Sequence, residues 1–112
     1  MKPQANATLK LQRISARKAR LVADLIRYQS TTDALSILKN SPKKAARLLL
    51  KVVQSAIANA VNTKGMDVER LFIARLLVNE GPTLKRFQPH AQGRAFPILK
   101  RTSHFVVTLE ER

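Results

Sequence analysis

Residues 79–105 read NEGPTLKRFQPHAQGRAFPILKRTSHF, and little in them can form a private core. From Lys85 to Arg101 the charged side chains are Lys85, Arg86, Arg94, Lys100 and Arg101, all positive, and Glu80 is the only acid in the stretch. Pro89, Gly93 and Pro97 interrupt any helix, while Phe87 and Phe96 offer flat apolar surfaces. On either side, residues 71–78 (LFIARLLV) and 98–109 (ILKRTSHFVVTL) are rich in the β-branched and aromatic residues that suit strands. Nineteen residues, 79–97, intervene, more than most loops in compact domains contain. The reading that accounts for this is two strands continuing outward as a long hairpin arm over about residues 79–104. Ten residues of strand project roughly 33 Å at about 3.3 Å per residue, enough to reach deep into a partner.

The rest of the chain shares the charge. Of 112 residues, 21 are Lys or Arg and 7 are Asp or Glu, a net charge of +14 and a pI near 11.4. Such an imbalance repels itself unless an anionic partner neutralises it, and the common partners are nucleic acid and anionic membrane. A hydrophobic content of 45% over this length allows one domain, residues 1–112, with a modest core. There is no cysteine, hence no disulfide framework and no thiolate metal site, which fits a reducing compartment. No apolar run near the start resembles a signal peptide. The longest apolar region, 48–61, contains Lys51, Gln54, Ser55 and Asn59 and is too short and too polar to span a bilayer. A soluble protein is expected.

Along the chain, Ala7, Leu9 and Leu11 alternate with Thr8, Lys10 and Gln12, the period of a strand with one buried face, placed at about 6–13. Ser15 can cap a helix whose apolar side is Ala16, Ala19, Val22, Ala23 and Ile26. Arg13, Arg17, Lys18, Arg20 and Arg27 cluster around it with Asp24 as the only nearby acid, which favours a phosphate-facing surface over a merely solvated one. Thr31 or Thr32 can cap a short second helix with Ala34, Leu35, Ile37 and Leu38 inside. Ser41-Pro42 marks a third start, a cap followed by proline at the first helical position. From there Ala46, Leu49, Leu50, Val53, Ile57, Ala60 and Val61 recur at three- and four-residue intervals up to Gly65, a C-terminal stop. Lys39, Lys43, Lys44, Arg47, Lys51 and Lys64 keep its surroundings basic. Lys100, Thr102 and His104 alternate with Arg101 and Ser103, so neither face of that segment is apolar, as expected of an arm enclosed by an anionic partner. Phe105, Val107 and Leu109 then restore a buried face. The expected class is α+β: three helices packed on a small three-stranded antiparallel sheet, with a long protruding β-hairpin.

Catalysis finds little support. Ser15 with Lys18 and Ser41 with Lys44 match a bare S-x-x-K spacing, but both sit at helix starts, where capping is the simpler account. Gly65, Gly81 and Gly93 stand singly and make no phosphate loop. His90 and His104, without cysteine and with acids only at distant positions, make a poor metal site. No enzyme, no metal and no cofactor are expected. Lysine and arginine supply charge and counterion release, and arginine together with Phe87, His90 and Phe96 can stack on unpaired bases. Cations spread over body and arm suit a partner that surrounds the protein, as folded RNA does. A DNA-binding regulator would need a dimer and a preferred duplex sequence, and a membrane-active protein would need the apolar face at 46–61 that the core requires.

The same residues also resemble a known family. Glu80-Gly81-Pro82, Lys85-Arg86, Pro89, Ala91, Gly93-Arg94-Ala95, Ile98 and Lys100-Arg101-Thr102-Ser103-His104 resemble the signature of the bacterial-type large-subunit ribosomal protein numbered twenty-two. The resemblance continues through Ser15, Arg17-Lys18, Arg20 and Val22, and through Ser55-Ala56-Ile57-Ala58-Asn59-Ala60, so that it covers essentially the whole chain. It implies a body at the mouth of the polypeptide exit tunnel that binds large-subunit rRNA and supports subunit assembly, and an arm that runs inward along the tunnel wall. By the match, Lys85, Arg86, His90, Gly93 and Arg94 lie at or near the arm's tip, and Lys100, Arg101, Thr102, Ser103 and His104 along it. Arg13, Arg17, Lys18, Arg20, Lys43 and Lys44 are the expected rRNA-binding residues of the body. The implied partners are large-subunit rRNA, neighbouring large-subunit proteins and the nascent polypeptide, with no membrane and no homo-oligomer. The implied location is the ribosome, cytoplasmic or organellar. His90 stands where the family usually has arginine, and Gln92 and Phe96-Pro97 also depart from its pattern, which makes the tip less charged than the resemblance implies.

Overall fold

Phe105, Val107 and Leu109 are fully buried on the middle strand of a three-stranded antiparallel sheet, and the rest of the body is arranged to cover them. A computed structural model describes residues 4–89 and 95–112, with backbone alone for 84–89 and 95–99. The middle strand is β5 (Ser103–Glu111). On one side it pairs with β1 (Gln4–Gln12), on the other with β2 (Leu71–Glu80), both antiparallel. The period-two alternation at 105–109 produces this directly, since successive side chains point to opposite faces and the apolar set meets the helices.

Three helices cover that face. The first, α1 (Ala16–Ile26), starts where expected: Ser15 is extended (φ −71°, ψ 142°) and its Oγ accepts the Lys18 N–H at 3.4 Å. All five expected apolar residues, Ala16, Ala19, Val22, Ala23 and Ile26, are buried. The second, α2 (Thr31–Lys39), is capped one residue earlier than expected, by Ser30, whose Oγ accepts the Asp33 N–H at 3.2 Å; Thr31 is itself buried. The third, α3 (Lys44–Lys64), begins later than the Ser41-Pro42 pair suggests. Ser41 Oγ accepts the Lys43 N–H at 3.4 Å, a local turn that competes with capping, and the N-cap is Lys43, which makes no side-chain cap bond. Gly65 ends α3 as expected, in the left-handed conformation (φ +63°) that costs glycine little. The buried stripe of α3 is Ala45, Ala46, Leu49, Val52, Val53, Ala56 and Ala60; Val61, expected inside, is 42% exposed. Helix α3 lies across β1 and β5, α1 lies along β2, and α2 fills in against α3.

Two irregularities shape the sheet edges. The alternation of β1 is interrupted, because the register slips between Leu9 and Gln12, Leu11 takes φ +57°, and its side chain is 59% exposed instead of buried. A bulge of this kind turns the strand end outward and strips a backbone N–H from the ladder. On the opposite edge, Arg20 of α1 and Arg27, the C-cap just past its end, hold β2: Arg20 donates from Nε and Nη2 to the Val78 carbonyl (3.3 and 2.9 Å), and Arg27 does the same to the Leu76 carbonyl (3.3 and 3.0 Å). These carbonyls lie on an edge strand, where unpaired backbone groups invite a foreign strand, and the guanidinium forks occupy them.

Strands β2 and β5 do not run straight into the arm. β2 stops at Glu80 and β5 starts at Ser103; the arm is a separate antiparallel pair, β3 (Leu84–Pro89) and β4 (Ala95–Lys100), in register from Leu84↔Lys100 to Pro89↔Ala95. The expected boundaries of 79–104 therefore contract to 84–100, because residues 79, 80, 103 and 104 belong to the body sheet. The radius of gyration is 17.0 Å and the longest extent 61 Å, against about 13 Å for the radius of a globular chain of this length.

Candidate nucleic-acid interface

Where β1 ends at its bulge, α1 begins and the arm leaves the body, an open cleft of about 690 Å³ is lined by Arg13, Ile14, Ser15, Lys18, Lys44, Lys100 and Arg101. The five cations come from separate parts of the chain: Arg13 from the β1–α1 connection, Lys18 from α1, Lys44 from the first turn of α3, and Lys100 and Arg101 from the base of the arm. Among the described residues no acidic side chain lines it. A second cleft of about 290 Å³ lies alongside, with Arg17 and Arg101 on its walls and Glu80 as its acid. Arg13, Arg17, Lys18, Lys43, Lys44 and Arg101 are all exposed. Charges gathered in a concave surface reinforce one another's field, so the arrangement attracts a polyanion far better than the same charges dispersed.

Hydrogen bonds hold the cleft walls together. Lys44 Nζ donates to the Arg13 carbonyl at 2.7 Å, drawing the start of α3 against the β1–α1 connection. Ser103 Oγ donates to the Ile14 carbonyl at 2.6 Å, Thr102 Oγ1 donates to the Pro82 carbonyl at 2.6 Å, and the Gly81 N–H reaches the Thr102 carbonyl at 2.9 Å. His104 Nδ1 accepts the Leu11 N–H at 2.9 Å, satisfying the donor that the bulge releases.

These contacts revise several of the expected roles. Thr102 and Ser103, expected as polar arm residues facing a partner, are 5% and 0% exposed and spend their hydroxyls inside the protein. His104 is half-buried against the bulge. Arg20 commits one edge of its guanidinium to β2. Lys85 and Arg86 lie on β3, paired with Leu99 and Ile98, the second and third pairs from the base of the arm. His90, Gly93 and Arg94 lie outside the described residues. The sequence signature includes Gly81 but gave no reason for it: a Cβ added there would overlap Thr102 Oγ1 and come within 3.1 Å of the His104 ring. Gly81→Ala is therefore expected to cost about 2–3 kcal/mol, combining overpacking with loss of the Thr102–Pro82 bond, and to lower the unfolding midpoint in thermal denaturation by about 10 °C or more.

Residues 7–110 match the sequence profile of the family described as ribosomal protein L22p/L17e, nearly the full length of the chain. The chain belongs to this family. Its relatives include the large ribosomal subunit protein uL22 of Mycoplasma mobile, 62% identical over 109 residues that cover 97% of this chain and 99% of the relative. That of Metamycoplasma hominis is 61% identical over 107 residues, covering 96% and 83%, and that of Mycoplasmopsis synoviae 58% identical over 112 residues, covering 100% and 99%. A member of the L22p/L17e family is a structural ribosomal protein and not an enzyme. Among the described residues no helix is long and apolar enough to cross a membrane, which agrees with the polar interruptions read at 48–61.

Proposed function

We propose that the protein, a structural constituent of the large ribosomal subunit in the cytoplasm, binds large-subunit rRNA through the basic cleft at the base of its arm. By holding that RNA it supports subunit assembly, and its arm lines the polypeptide exit tunnel beside the nascent chain. The body and arm act as one RNA-binding domain, with neighbouring large-subunit proteins as further partners and no second copy of the chain. The observation that carries the reading is the convergence of Arg13, Lys18, Lys44, Lys100 and Arg101 on one cleft with no acid on its walls among the described residues. Lysine supplies point charge and arginine a planar fork suited to phosphate, and neither demands a base sequence. The reach of the arm supports the tunnel role, since 61 Å is far beyond what the body alone requires. The capped edge of β2 supports binding as a single copy.

Competition in steps of rising salt tests the rRNA reading, with large-subunit rRNA and duplex DNA offered at equal nucleotide mass. The expected result is an rRNA complex that survives salt sufficient to strip the DNA. If both dissociate together, attraction is counterion release alone and the assignment of a folded RNA partner fails.

A further inference from the structure

The cleft spans a pivot. On its body side are Arg13, Lys18 and Lys44; on its arm side are Lys100, the last residue of β4, and Arg101, in the two-residue break before β5. The Gly81 N–H bond to the Thr102 carbonyl and the Thr102 Oγ1 bond to the Pro82 carbonyl tie the two outgoing segments, 81–83 and 101–102, to each other, and Ser103 Oγ ties the start of β5 to the Ile14 carbonyl of the body; neither segment continues a strand ladder. The body sheet and the arm are separate strand ladders joined by these two short irregular links. Like charges face each other across those links, and the described ion pairs, Arg27–Asp24 and Arg70–Glu111, lie elsewhere. Repulsion across the cleft therefore opposes any single close setting of the arm until an anion enters.

We propose that a phosphodiester segment of RNA, seated in this cleft between Lys44 on the body and Arg101 on the arm, sets the angle at which the arm leaves the body. This rests on the rRNA reading above and adds to it a coupling: the same phosphates that contribute affinity select one arm orientation, because that orientation lets cations on both sides of the pivot reach them. A ligand shifts such an equilibrium only by its differential affinity, and a phosphate that bridges the pivot has one where a phosphate bound to the body alone has none. The RNA that docks the body thereby aims the arm.

The chain has no cysteine, so spin labels can be placed cleanly at Ser36→Cys on α2 and Gln88→Cys on β3 of the full-length protein, and the distance distribution read by pulsed electron resonance. With sodium chloride alone a broad distribution is expected. Inorganic tripolyphosphate at matched ionic strength, or saturating large-subunit rRNA, should narrow it roughly twofold. Lys44→Gln with Arg101→Gln should weaken rRNA binding and, at rRNA concentrations that saturate the variant, leave the distribution broad. Lys51→Gln, an equal change of charge per residue on an exposed part of α3 outside the cleft, should narrow as the parent does. A distribution unmoved by either anion while rRNA still binds overturns the coupling and leaves the rRNA reading standing. So does equal narrowing in the doubly substituted cleft variant. Failure of the parent to bind rRNA in preference to duplex DNA overturns both.

Discussion

Phe105→Ala is expected to lower the unfolding free energy by about 4 kcal/mol, the largest loss from any single side-chain truncation in the body. Phe105 is fully buried on the middle strand, paired with Leu9 on β1 and Val78 on β2, so its ring is enclosed by both neighbouring strands and by the helices above. Truncation removes the transfer energy of the ring and leaves a cavity that the sheet cannot close, because β5 is pinned on both sides by its ladders. A domain of this size has about 5–15 kcal/mol to lose, so a substantial unfolded fraction is expected at moderate temperature. Urea denaturation at fixed salt checks this, with Leu25→Ala as the reference: Leu25 is 57% exposed on α1, and its truncation should cost about 0.5 kcal/mol or less. Equal losses in the two variants would mean that the core is not centred on β5.

The helices were legible because their instructions are local. Ser15 and Gly65 act within a few residues of themselves, and the period of α1 assigned every one of its buried positions. The apolar alternation at 105–109 was legible for the same reason. What escaped was set by partners far away in sequence. The hydroxyl of Ser103 and the ring of His104 look like polar arm positions until Ile14 and Leu11, 89 and 93 residues distant, arrive beside them. Arg20 and Arg27 look like members of a uniform basic cluster, yet their forks are aimed at carbonyls of β2, 58 and 49 residues away. Leu11 fits the alternation of β1 and leaves the buried face only because pairing with β5 slips by one residue. Charge itself was legible from composition, whereas its concentration in one cleft was not, since Arg13, Lys44 and Arg101 are brought together only by the crossing of α3 and the arm base at the end of β1.

That concentration carries the second large effect. Replacing Arg13, Lys18, Lys44 and Arg101 with glutamine removes four of the five cations lining the cleft. Each phosphate contact contributes about 0.7–0.9 to the slope of log affinity against log salt, so the slope should fall by about 3. Near 0.15 M salt that amounts to a loss in rRNA affinity on the order of a few hundred-fold, shrinking to about tenfold near 0.5 M, so that parent and variant curves converge as salt rises. The four side chains are exposed, and among the described residues the one internal side-chain bond lost with them is that of Lys44 to the Arg13 carbonyl, so the unfolding midpoint should move little. A comparison variant with Lys10, Lys39, Lys51 and Lys64 changed to glutamine removes the same charge from exposed positions outside the cleft. Its slope should fall by less than half as much, because charges that do not touch a phosphate release few counterions. If the two variants lose affinity equally, the protein is held by its overall charge, and the cleft has no special part in holding the RNA.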